Sequence, residues 1–465
     1  MENIDTLVEK YFENAVKDLQ ELIKINSEND KSTSSNEQPF GKGIALCLNQ
    51  FLNTASKDGF INKNIDNYAG YAECGTGDLI GILAHLDVVP AGNHHKWTYP
   101  PYAAEINNNK MYGRGTADDK GPLMAAYTAL KILKENYTLN KRFRVIAGCD
   151  EETSMRCLKR YKETEEIPVF SFSPDASFPA VNGEKGQMQI ALTRDFIHQG
   201  LEPIKLLGLT CGEIINIVPE EAYAYFSGNI AKLKRQLEEI AGDDLEIDYF
   251  EEKYLRVKAY GKAMHSMHAP DGVNAMYKLF KYLAHPDLDY GPWELMHWIR
   301  SMALIFDDKN ISKNLGINYS DEFGELTINL GLLRYKSKDL QLHFDIRYPV
   351  TMKPSKFESK LHLITEKIMM LGQIKKHIPP LYVSEDNKYL KELLKAYKDV
   401  TNEDAKPVTI GGRTYCAAMP NSVSFGAKYP QDEELAHQVD EYVDLDKFKK
   451  NIKIYLQALI NLNNM

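Results

Sequence analysis

The stretch LIGILAHLDVV, residues 79–89, is a continuous apolar run broken only by His85 and Asp87. A run this short reads as a strand buried on both faces, the kind found in parallel sheets. Downstream, GPLMAAYTALKILKENY (121–137) is helix-periodic, FRVIAGC (143–149) is a second buried strand and VFSFSPD (169–175) a third. Buried strands alternating with a helical stretch imply crossover units and a largely parallel sheet. Upstream, residues 5–24 place Leu7, Tyr11, Phe12, Ala15, Leu19 and Leu22 on one helical face, and a second helix is expected over 43–57.

After about residue 185 the pattern changes. QMQIALTRDF, AYAYFSG, YLRVKAYGK, ELTINLGLLRY and LQLHFDIRY alternate with a two-residue period. Helical stretches at 229–241, 272–284, 292–305 and 356–371 separate them. This predicts an α+β region with an antiparallel sheet. Long helices return at 386–400 and 444–462. The expected fold class is α/β, a mostly parallel-sheet domain flanked by helices, with an inserted α+β domain.

Composition agrees with a folded enzyme-sized chain. Of 465 residues, 43% are hydrophobic and 26% charged, which excludes wholesale disorder. The net charge of −9 lacks the electrostatic footprint of a nucleic-acid binder. The basic run Lys447-Phe448-Lys449-Lys450 lies in a helix-periodic stretch and reads as a solvated face. No run is long and apolar enough for a transmembrane helix, and the acidic, periodic N-terminus does not read as a signal peptide. Six cysteines without metal-type or paired spacing read as reduced core thiols, so a cytoplasmic protein is expected.

Ligands of open parallel sheets bind beyond the carboxyl ends of the strands. Here those ends are His85-Leu86-Asp87, Asp150-Glu151-Glu152 and Ser173-Pro174-Asp175, with Asp118 and Asp119 just ahead of the intervening helix. Each signal alone has a plain alternative. A His-x-Asp pair can be a simple hydrogen-bonded pair, and acids before a helix suit its first turn. Asp175 after a proline suits a turn. Together along one sheet edge they read as ligands, since crowded carboxylates repel and divalent cations relieve that cost. A two-metal hydrolytic site, with one carboxylate left over as general base, is the chemistry this set suggests.

The ordered segments GILAHLDVVPAG, MYGRGTADDKGP, CDEET, SPDASFP, GKAMHSMHAPDGVNA and AHQVDEYV resemble the di-zinc amidohydrolases that include glutamate carboxypeptidase, aminoacylase and succinyl-diaminopimelate desuccinylase. Within that family the resemblance is strongest to carnosinase-like bacterial dipeptidases, and it covers essentially the whole chain. It implies a catalytic domain (1–184 and 381–465) with an inserted lid domain (185–380). It implies two divalent ions, zinc first, with manganese or cobalt as alternatives. His85, Asp118, Glu152, Asp175 and His437 would be the metal ligands, with Asp118 bridging. Glu151 would be the general base acting on a bridging water, and Asp87 would orient His85. A non-proline cis bond at Asp118–Asp119 or Asp150–Glu151 is a further expectation from the family.

The same resemblance makes His265 the lid histidine that steadies the oxyanion, with His268 as its rival because Ala269 stands where the family carries proline. Arg347 would receive the substrate carboxylate, with Asn216, Gly411 and Gly412 in the same pocket. Arg413 and Thr414 have no clear role, and Arg413 and Cys416 mark a departure from the family pattern. The large insert implies a functional monomer whose lid closure gates activity. The expected activity is hydrolysis of dipeptides with a free N-terminus. The alternatives are an N-acyl-amino-acid or succinyl-diaminopimelate deacylase, or a non-catalytic relative. The expected partner is a small peptide substrate, with neither nucleic acid nor membrane.

Overall fold

The structure is a computed structural model that describes residues 3–197, 202–251, 253–353, 355 and 358–465. The chain forms two compact units, Met1–Gly183 with Tyr382–Met465, and Glu184–Leu381. In the first unit the elements are α1 (Ile4–Ile23), α2 (Lys42–Lys57), β1 (Ile61–Ile65), β2 (Ala69–Gly75), β3 (Leu79–His85), α3 (Lys120–Asn136), β4 (Arg142–Gly148), α4 (Arg156–Thr164) and β5 (Phe170–Ser173). Late in the chain come a strand at Ser422–Ser424 and helices Lys388–Thr401 and Leu445–Asn463.

The apolar run reads as it does because every position of β3 is buried. Its sheet has the order β1, β2, β4, β3, β5, Ser422–Ser424, Val181–Glu184, Leu381–Tyr382, with Val408–Ile410 also paired to Val181–Glu184. The central strands β4, β3, β5 and Ser422–Ser424 are mutually parallel. β1 and β2 add an antiparallel flank, which the sequence pattern did not announce. The helices cover this sheet with apolar faces. α1 buries Leu7, Tyr11, Ala15, Leu19 and Leu22, and its N-cap Asn3 accepts from the Asp5 amide. Lys120, buried at the start of α3, donates to the Leu22 and Ile25 carbonyls and so ties α3 to the end of α1. In the C-terminal helix Phe448 is buried between flanking lysines, and Lys449 pairs with Glu9 at 2.7 Å.

The second unit is built on an antiparallel sheet. Its order is Leu245–Phe250, Tyr254–Tyr260, Glu221–Gly228, Ile204–Cys211, Thr327–Lys336, Asp339–Tyr348, Gly186–Asp195, Leu371–Ile378. Buried positions alternate along Glu221–Gly228 and Tyr254–Tyr260, as the two-residue period requires. Helices Ala275–Leu283 and Trp293–Ile305 share its core, where the Trp298 indole donates to the Ile368 carbonyl at 2.7 Å.

One helix is shorter than the periodicity suggests. Of the expected 356–371 helix, residues 356 and 357 lie outside the described residues, and the helix spans Leu361–Ile368. Met369, with a left-handed φ of 57°, ends it, and the chain turns into the edge strand Leu371–Ile378. Among the described residues no helix is long and apolar enough to cross a membrane.

Candidate metal centre

β4, β3 and β5 run in the same direction, so their carboxyl ends open on one crevice. His85 is the last residue of β3 and lies in register with Gly148. The Asp150–Glu152 turn follows β4, Asp175 follows β5, and Asp118 stands two residues before the start of α3. His437 comes from the turn ahead of the strand Tyr442–Asp444.

These side chains converge. The His85 Nε2 lies 3.0 Å from Asp118 Oδ1 and 3.7 Å from Asp175 Oδ2. The His437 Nε2 lies 3.3 Å from Asp118 Oδ2 and 3.2 Å from Glu152 Oε1. Asp118 therefore faces one imidazole with each oxygen. One group of mutually close donor atoms comes from His85, Asp118 and Glu152, and a second from His85, Glu151 and Asp175. The His85 Nδ1 lies 2.9 Å from the main-chain carbonyl of Asp87. A carbonyl only accepts, so Nδ1 carries a proton, and Nε2 is the nitrogen turned toward the cluster.

Burial raises the Glu151 carboxyl to about 8, with the charges of Glu152 and Asp87 adding to the effect. Asp175 goes well above its ordinary range, through burial and the charges of Asp118 and Asp119. Asp118 is held low: burial would raise it, and hydrogen bonds from His437 and His85 overcome that. His437 is lifted to about 10 by its hydrogen bonds to Asp118 and Glu152. Burial alone would lower His85, but Asp118 and Asp175 carry it well above its usual value. Among the described residues no lysine or arginine pairs with Asp118, Glu151, Glu152 or Asp175. A crowded, part-buried set of carboxylates and imidazoles without a lysine or arginine partner fits divalent metal, which can take the place of the protons that these shifts retain.

Asp87 does more than the His85 pairing implies. Its carboxylate is buried, Oδ1 and Oδ2 accept from the Glu151 and Glu152 amides at 3.1 Å each, and Oδ1 stands 3.7 Å from His85 Nδ1. The imidazole is oriented by the Asp87 carbonyl, while the carboxylate holds the neighbouring turn. Asp119 does not cap α3. Its Oδ2 accepts from the His85 amide at 2.9 Å and fixes the end of β3. The Asp118–Asp119 peptide is cis, and Asp150–Glu151 is not.

Two supporting residues, and the role of a third, escape sequence reasoning. Asp150, fully buried, accepts from Arg156 Nε at 2.7 Å and Nη2 at 2.8 Å, closing the turn that carries Glu151 and Glu152. Tyr415 lies buried edge-on to His85, with its hydroxyl 3.1 Å from Cys157 Sγ. Glu441 accepts the amides of Gly115, Ala117 and Asp118. Tyr415 and Glu441 look like ordinary core and loop residues in one dimension, whereas Asp150, read with its neighbours as a candidate ligand, is instead held by Arg156. A faint signal for Glu441 is its place four residues after His437.

Gly411 and Gly412 follow the strand Val408–Ile410 and lead into the turn that buries Tyr415. In the second unit, His265 and Asn216 meet through Nε2 and Nδ2 at 3.3 Å. His268 is not part of that pair and faces Asp271 at 4.0 Å. Arg347 is buried, with its Nε donating to Asp345 at 2.7 Å, and Asp345 also accepts from Ser266 and Gln187. Burial lowers the His265 imidazole, and the positive charge of Arg347 adds to that.

Comparison with known proteins adds a second line of evidence. The sequence profile described as "Peptidase family M20/M25/M40" matches residues 81–461. A protein named "Putative dipeptidase YtjP", from Bacillus subtilis (strain 168), is 36% identical over 460 residues, covering 97% of each chain. "Putative dipeptidase SSP1012" from Staphylococcus saprophyticus is 34% identical over 468 residues, covering 98% of each. Among solved structures, human carnosine dipeptidase 1 superposes with a TM-score of 0.58 at 15% identity, covering 99% of this chain and 98% of its own. At that identity the likeness is one of fold.

Proposed function

From the premise that this chain belongs to peptidase family M20/M25/M40, and so is a hydrolase of peptide bonds, we propose that it is a metal-dependent dipeptidase acting on dipeptides with a free N-terminus. The observation that carries the reading is the position of Glu151. Its buried carboxyl shares a donor group with His85 and Asp175, while two other carboxylates and a second imidazole complete the surroundings. His85, Asp118, Glu152, Asp175 and His437 would hold two divalent ions, with Asp118 facing both. Zinc suits this donor set first, and manganese or cobalt can occupy the same ligands. Bound there, such ions supply the positive charge that acidifies a water and polarises a carbonyl.

The chain's own residues then do the proton work. Glu151 takes a proton from the attacking water and delivers it to the leaving amine nitrogen. Asp87 keeps Glu151 and Glu152 in place through their amides. We assign the first unit as the catalytic domain and Glu184–Leu381 as the lid. His265 would donate to the oxyanion, and its low pKa suits a neutral imidazole donor. Arg347 would pair with the substrate carboxylate in a bidentate geometry, with Asn216, Gly411 and Gly412 in the same pocket. The free state of all six buried cysteines supports a reducing compartment. A monomer is proposed on the size of the insert, to be checked by sedimentation.

The deciding experiment is hydrolysis by chelator-stripped protein, with metals added back singly. The panel is a free dipeptide, its N-acetylated form, a tripeptide and N-succinyl-diaminopimelate. Metal-restored cleavage of the free dipeptide alone is expected. Cleavage only of the acylated compounds would move the protein to the deacylases. Binding of two ions without any cleavage would make it a non-catalytic relative.

A further inference from the structure

His437 is the least supported of the proposed ligands by its own element. It lies in a turn, its side chain is 50% exposed, and its φ of 65° is left-handed. What fixes it comes from residues just after it. Glu441 is fully buried. Its Oε1 accepts the amides of Gly115 at 3.0 Å, Ala117 at 2.8 Å and Asp118 at 3.2 Å. Such a concave run of amides is an anion-binding nest. Its Oε2 accepts from Arg114 Nη1 at 2.5 Å, and its carbonyl accepts from the Gly113 amide at 2.9 Å.

The same Arg114 Nη1 reaches the carbonyl of Gln438, the residue after His437, at 3.2 Å. The guanidinium lies 5.2 Å from the Trp97 ring centroid, which sets its plane. Thr98 holds Asp440 with its amide at 2.6 Å and its hydroxyl at 2.8 Å. One carboxylate therefore grips the backbone of Asp118 directly and the backbone beside His437 through Arg114. The pairing of Tyr442–Asp444 with Lys110–Tyr112 already brings the two segments together. Glu441 is not required for them to meet. It fixes where Asp118 and Gln438 stand once they have met.

We propose that Glu441, acting with Arg114, is a positioning residue that sets the affinity of the cation held by His437, Asp118 and Glu152. The inference rests on the two-ion reading above. It predicts an asymmetry, because β3 and β5 position His85 and Asp175 without any contact to Glu441. Outer partners of metal ligands change affinity by about 10–100-fold when removed. The Glu441 effect falls on the His437-side ion, and the His85-side ion shifts only a few-fold through shared Asp118.

The test is equilibrium titration of metal-free protein with Zn²⁺ against a competing chelator, for wild type, Glu441→Gln, Glu441→Ala and Arg114→Met. Folding is followed by near-UV circular dichroism. Wild type is expected to bind two ions. The variants are expected to keep one and to weaken the other about 10–100-fold, with Glu441→Gln mildest because its amide oxygen still accepts. Arg114→Met leaves the nest intact and carries the test if Glu441→Ala does not fold. Two ions bound with wild-type affinity in folded variants would overturn the proposal, and so would equal loss of both. A wild-type protein that binds no second ion would defeat the two-ion reading itself.

Discussion

Asp87→Asn is the substitution whose consequence the structure defines most sharply. The two side chains have nearly the same shape, so no cavity forms. The Asp87 carboxylate has two acceptor oxygens, each 3.1 Å from an amide, one of Glu151 and one of Glu152. Asparagine supplies one oxygen and one NH₂ group, so one of these amides would face a donor. A buried donor left without an acceptor costs about 1–3 kcal/mol. At 1.4 kcal/mol per factor of ten, that is roughly 5–150-fold in kcat/KM or in metal affinity. The loss reaches function because the disturbed amides belong to the proposed base and to a proposed ligand. In the metal-free protein burial raises the Asp87 carboxyl to about 6, so there the ionised acceptor is lost as pH falls through that value. The check is the ratio of wild-type to variant kcat/KM on a dipeptide at saturating metal and pH 7.5. Equal kcat/KM within a factor of two at pH 7.5 would refute the reasoning.

Glu151→Gln should lower kcat about 10²–10⁴-fold, as loss of a general base does, while metal stoichiometry by elemental analysis stays at the wild-type value. Gly148→Ala would place a methyl 1.7 Å from the buried Tyr415 hydroxyl, so urea denaturation should show a loss of about 1–3 kcal/mol. Metal-free protein should lose stability as pH rises from about 5 to 8. Glu151 and Asp87 have folded pKa values above their unfolded ones, so the folded state holds more protons in this window and stability falls as they leave. Urea midpoints across pH, with and without Zn²⁺, check this. A slope in the metal-loaded protein as steep as in the metal-free one would contradict the donor set's need for a cation.

Much of this architecture is legible in one dimension, for physical reasons. β3, β4 and β5 are buried on both faces, so they appear as unbroken apolar runs, and the polar residues that end them stand out. Asp118 and Asp119 attract notice because α3 begins directly after them. The strand β1 is different, since four of its five residues are exposed at the sheet edge and no alternation survives. Leu371–Ile378 is equally exposed and polar, so nothing separates it from the preceding helix. α4 carries a helical stripe in Cys157, Leu158 and Tyr161, but it spans nine residues, shorter than the length at which periodicity separates a helix from other structure. Glu441, and the pairing of Asp150 with Arg156 in place of a metal, are hidden for another reason. A buried acid serving backbone amides or a nearby arginine is spelled like any surface acid, and only its partners distinguish it. His437 likewise carries no local signal, and the family resemblance alone singles it out.

The parallel pairing of Ser422–Ser424 with β5 also orders events during synthesis. Roughly 250 residues separate Ser173 from Ser422, and the whole second unit emerges between them. At about 5–20 residues per second the ribosome needs some tens of seconds to cross that interval. Throughout it, β5 has an open edge, and His85, Asp118, Glu152 and Asp175 are already outside without His437. The nascent chain can therefore gather four of its five proposed donors long before the fifth. Arrival of the last histidine, only after the whole second unit, makes completion of the proposed centre a late step in the birth of the molecule.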